Sequence, residues 1–115
     1  MFALDVALTL RGQPAEYWAG DYSRAVEANP LAWLILAVHP YLFLGLAIGW
    51  AVAFVALVTL WEHRLAKVVA FVLTVGHAVG AASWLLRLGW PGVAAAVGLM
   101  VAAERLLTWC WPRTQ

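Results

Sequence analysis

Few residues in this chain are able to do chemistry, and they lie far apart in sequence. His77 sits within an apolar run, ten residues before Arg87. Ionisable groups at that depth are costly, face a bundle interior and mark functional positions. Thr74, Ala81 and Trp84 share its helical face by i−3, i+4 and i+7 spacing. Two readings stand: a neutral histidine bonded to a carbonyl or hydroxyl, or a metal ligand, cofactor ligand or proton carrier. His39 precedes Pro40. If a helix runs through Pro40, His39 reaches the depth of His77, roughly 15 Å inward, and the two meet. If the helix breaks there, His39 rises toward the surface and Glu27. Asp5 and Thr9 lie one helical turn apart on an apolar segment, where the carboxylate needs a histidine or arginine partner. Glu27 and Asn29 flank a helix start, and their simpler role is charge and capping. Brought together, Asp5, Glu27, Asn29, His39 and His77 would line a polar cavity in the outer half of a bundle. Carboxylate with imidazole suits zinc or iron. There is no HExxH pair, no Gly-rich phosphate loop, and no nucleophile motif at Ser23 or Ser83.

The elements that must position these residues are helices in lipid. Of the 115 residues, 65% are hydrophobic and 11% charged. Soluble domains carry about 25% charged residues, so so few charges cannot cover a surface in water. A net charge of +1 leaves no basic field for nucleic acid. The lone cysteine, Cys110, can form no internal disulfide.

Residues 1–10 are apolar but short, and three readings remain: a half-span, an interfacial helix, or a span truncated at its start. Residues 11–29 form an outer loop, punctuated by Gly12, Pro14 and Gly20, with Tyr17, Trp18 and Tyr22 in an aromatic belt. Asn29-Pro30 starts a helix. The 31 residues from Leu31 to Trp61 contain no Asp, Glu, Lys or Arg. That exceeds the roughly 20 needed to span. Pro40 explains the excess: a short helix over 30–38 kinks into, or breaks before, a span over 42–61. A polar turn with Glu62, His63, Arg64 and Lys67 follows, then spans over 68–86 and 92–111. The expected fold is a single all-α membrane domain of three spans with a short N-terminal helix.

Short connections make the spans antiparallel. Arg64, Lys67, Arg105 and Arg113 then share one side, and Arg11, Arg24 and Arg87 the other. This bias favours a cytoplasmic 62–67 turn and C-terminus. Trp61, Trp109 and Trp111 form the expected inner belt, and Trp33, Trp84 and Trp90 the outer one. Gly45 with Gly49, and Gly76 with Gly80, are small-xxx-small pairs that allow helix backbones close approach. They serve packing within the chain, a homo-oligomer, or docking to a larger membrane complex. The lack of a catalytic motif favours a non-catalytic packing or partner-binding subunit. The alternative is an intramembrane ligand or metal site.

Asp5-x3-Thr9 followed by Glu27-Ala28-Asn29-Pro30 resembles a family of small prokaryotic multi-span membrane proteins, known only as a domain of unknown function. The resemblance covers about the first third of the chain. It implies a multi-span helical fold and supplies no activity.

Overall fold

The computed structural model describes residues 1–60 and 64–110. Six α-helices follow one another: α1 (Phe2–Arg11), α2 (Ala15–Trp18), α3 (Pro30–Leu36), α4 (Pro40–Leu60), α5 (Arg64–Leu86) and α6 (Trp90–Cys110). A 3-10 turn over Tyr22–Arg24 lies between α2 and α3. There is no β-strand among the described residues. The bundle is all-α, and three helices are long and apolar enough to cross a membrane: Pro40–Leu60, Ala66–Leu86 and Trp90–Trp109. Glu62, His63, Trp61, Trp111 and Arg113 lie outside the described residues.

α5 is the centre. Both α6 and α1 pack along it, while α4 rests more lightly on α1 and α5. The molecule measures 55 × 35 × 17 Å. A bundle this thin turns most of its apolar side chains outward. Leu46, Ile48, Trp50, Val52 and Val55 of α4 are all exposed. An exposed apolar surface of this extent is of the kind that membrane-crossing helices present to hydrocarbon. Trp90 and Trp109, 85% and 82% exposed, mark opposite ends of α6, as belt residues do.

The α5–α6 seam is built from small residues. Gly92, Ala96 and Ala103 of α6 are buried, at i, i+4 and i+11 on one face. Ala78 and Ala81 of α5 are fully buried. In lipid, side-chain apolarity gives helices no reason to associate, and close backbone contact does. Gly89, at φ +72°, turns the chain between α5 and α6. That left-handed conformation favours glycine.

The long apolar run breaks before Pro40. α3 ends at Leu36, and His39 caps α4: its Nδ1 accepts from Tyr41 N–H at 3.1 Å. Pro40 has no N–H to give to Leu36, four residues back. The carbonyl so freed accepts from the Tyr17 hydroxyl at 3.1 Å. Both Tyr17 and Leu36 are fully buried. Burial pushes the Tyr17 phenol above its usual range, with Tyr22 adding to the shift, so it stays a donor. Tyr17→Phe leaves that buried carbonyl unpartnered. We expect a loss of about 1–3 kcal/mol in a denaturant titration in micelles, with the loop between α1 and α4 loosening first.

Gln13 ties the same loop to α1. Its amide nitrogen donates to Thr9 O at 2.8 Å and Val26 O at 2.9 Å, and its amide oxygen accepts from Val26 N at 2.8 Å. Trp33 Nε1 donates to Ala25 O at 3.0 Å. The loop is therefore a folded cap over one end of the bundle.

Candidate functional site

α1 runs along α5 toward the cap. Asp5 and Thr9, four residues apart, lie on one face of α1, and Gln13 follows just beyond its end. Thr9 and Gln13 are buried. On α5, the facing residues are His77, Gly80 and Trp84, again at helical spacing.

Asp5 and His77 meet. Asp5 Oδ2 lies 2.8 Å from His77 Nδ1, with side chains 19% and 29% exposed. The ring edge of Phe2 packs on the imidazole, centroids 4.8 Å apart and planes at 89°. Gly80 makes the room. A Cβ there would lie 2.7 Å from Asp5 Oδ1 and 2.9 Å from Oδ2. The pair sits nine residues from the Leu86 end of α5, roughly 13 Å along the helix. An ionised Asp5 accepts a proton-bearing Nδ1, which leaves the lone pair of neutral His77 on Nε2. A carboxylate behind a histidine in this way fixes both its tautomer and its ring orientation.

The other expected residues go elsewhere. Glu27 Oε1 accepts from Asn29 N–H at 2.9 Å, and Asn29 Oδ1 caps α3 by accepting from Leu31 and Ala32 N–H at 3.0 and 3.4 Å. His39 packs between Tyr22 and Tyr41, ring centroids 5.0 and 5.2 Å away, while it caps α4. The break at Pro40 holds His39 in the cap. Among the described residues no group of three or more His, Cys, Asp or Glu could hold a metal ion. The residues that line up with zinc or iron by type are thus divided between a pair and two helix caps.

Trp84 is not a belt residue. It is buried, its ring faces Gly12, and the Arg87 guanidinium stacks on it 3.9 Å from the centroid. A Cβ on Gly12 would run into three atoms of that ring. Gly12 and Trp84 close one end of the α1–α5 contact as Asp5 and His77 close the other.

The four flagged glycines separate as well. Only Gly80 is filled, and by a carboxylate; a Cβ on Gly45, Gly49 or Gly76 would meet nothing within 4 Å. Phe2, Gln13, Gly12 and Gly92 escape a reading of the sequence. Gly92-x3-Ala96 carries the same small-xxx-small signal, with alanine in one place. Gln13 continues the i+4 series from Asp5 and Thr9.

No family model, curated protein or solved structure matches the chain. The first of these results overturns the resemblance to a family of unknown function. Asp5-x3-Thr9 is accounted for by the inward face of α1, and Glu27-x-Asn29-Pro30 by the cap of α3, a local signal that unrelated helices share.

Proposed function

We propose that this is a multi-pass integral membrane protein that binds a small ligand at His77, oriented by Asp5. The 2.8 Å contact between Asp5 and His77 carries the reading. A carboxylate and an imidazole set within apolar helices need a reason to be there, because each costs free energy in hydrocarbon. A helix packs on α5 without them at less cost. The basic residues Arg64, Lys67, Arg105 and Arg113 against Arg11, Arg24 and Arg87 support a cytoplasmic C-terminus, with the pair in the opposite half. Protein purified in mild detergent is expected to retain a small molecule that His77→Ala loses, seen by mass spectrometry of an organic extract. Extracts that do not differ would sink the reading.

A second reading rests on α4, and its occupant is a second copy of this chain. Only 6% of the apolar window of α4 is buried. Gly45 and Gly49 are exposed while Ala47, about 200° round the helix from Gly45, is buried. The glycine face therefore points away from the bundle. Ala53 and Ala56 continue it into an open cleft of about 420 Å³, lined also by Leu57 and Leu60. A flat face of small residues is self-complementary, and a two-fold axis brings it against its own copy. Gly45→Leu with Gly49→Leu is expected to convert a crosslinkable dimer into monomer without loss of helicity. Unchanged crosslinking yield would remove this reading.

A further inference from the structure

The geometry points to the class of ligand, and this step rests on the ligand reading above. We infer that His77 takes an apolar, membrane-soluble molecule that carries a hydroxyl, bound by an O–H to Nε2 hydrogen bond. Nδ1 is committed to Asp5. Nε2 makes no hydrogen bond among the described residues. No side-chain nitrogen or oxygen there is both sealed from the surface and unpartnered. Nε2 therefore belongs to the open part of the ring. The helix that carries the ring is apolar and long enough to cross a membrane. Phe2 covers one side of the ring, and the neighbours on its own face of α5 are Leu73, Thr74, Gly80 and Ala81, with the Thr74 hydroxyl the one polar group among them.

The chemistry of the partner follows. Where Asp5 accepts from Nδ1–H and His77 is neutral, Nε2 is an acceptor and the partner donates. An acceptor facing hydrocarbon lacks the water that would otherwise satisfy it, so a donor has unusual value there. A water-soluble ligand would have to shed its hydration to reach mid-helix. A metal ion would need more ligands than one imidazole and one carboxylate already in use. An oily molecule with a hydroxyl meets every condition. Two membrane sources share that chemistry: a quinol ring and a diacylglycerol. The contact is a hydrogen bond alone and involves no bond making or electron transfer.

Full-length protein carrying 15N-labelled histidine is placed in phosphatidylcholine nanodiscs. The probes are a short-chain benzoquinol with its quinone, and dioleoylglycerol with its O-methyl ether. Each pair keeps its shape class and differs in the hydroxyl. One hydroxyl-bearing probe is expected to bind about tenfold more tightly than its counterpart, the worth of one hydrogen bond in this setting. It alone should move the His77 Nε2 resonance, and the arm that responds names the source. His77→Leu should abolish the preference, while the resonance in the unmodified protein gives the answer even if that variant fails to fold. Equal affinity for both members of each pair, or a His77 resonance unmoved by all four, overturns the hydroxyl inference. The ligand reading itself falls only if the extract also shows no molecule that depends on His77.

Discussion

Gly92→Ala is expected to be the most damaging single methyl in this protein. An exposed glycine in a helix is ordinarily improved by alanine, by about 1 kcal/mol. Gly98 on the same helix fits that rule, since a Cβ there meets nothing within 4 Å. At Gly92 the added carbon would press into the carbonyl oxygen of Leu85, with the carbonyl carbon at 2.8 Å and Leu88 Cβ at 3.0 Å. Backbone at the end of α5 cannot swing aside as a side chain does. Relief requires α6 to tilt away, which opens the seam that Ala96, Ala103 and Ala78 fill. We expect a loss of about 3 kcal/mol for Gly92→Ala, and no loss for Gly98→Ala. Both are measured by unfolding in mixed micelles of increasing sodium dodecyl sulfate. Equal stability of the two variants would show that α6 does not approach α5 as closely as described here.

The contrast shows why part of this molecule is legible in its sequence and part is not. Spans can be read because lipid imposes a length and forbids charge along it, and both appear in composition. The break at Pro40 can be read because proline's missing N–H is a local fact. The donor that replaces it cannot, because Tyr17 lies 19 residues from Leu36 and nothing local ties them. Asp5 and His77 stand out singly as ionisable groups in apolar runs, and needing each other makes their meeting inferable. His39 stands out by the same rule, whereas Glu27 and Asn29 are legible as residues beside a helix start; backbone N–H groups at helix starts claim all three. Small-xxx-small spacing says only that something can come close. At Gly80 that is a carboxylate, at Gly92 a backbone carbonyl, and at Gly45 nothing within the chain.

Gly80→Val is expected to release α1 from α5, and Gly76→Val is its control. The two glycines are one turn apart on the same helix and equal by sequence pattern. A Cβ at Gly76 enters open space, whereas at Gly80 it would stand 2.7–3.0 Å from the Asp5 carboxylate. Asp5 is short, so its carboxylate can leave only by rotating away from His77. The 2.8 Å bond between them is then lost. A carboxylate and an imidazole are left apart in an apolar place, which costs about 1–3 kcal/mol. Since Phe2 packs on the same imidazole, the start of α1 comes free with it. Gly12 against Trp84 and Gln13 against Val26 still hold the far end. Hydrogen exchange should therefore quicken over residues 5–8, the first amides of α1 with a helical acceptor, by tenfold or more in Gly80→Val, and little over residues 9–13. Asp5→Asn gives a second view: an amide keeps an acceptor for Nδ1–H but loses the charge. If protection at residues 5–8 survives in Asp5→Asn and fails in Gly80→Val, position matters more than charge in holding α1. If Gly76→Val loosens α1 as much as Gly80→Val does, the carboxylate is not what Gly80 accommodates, and the pairing of Asp5 with His77 is not what anchors the helix.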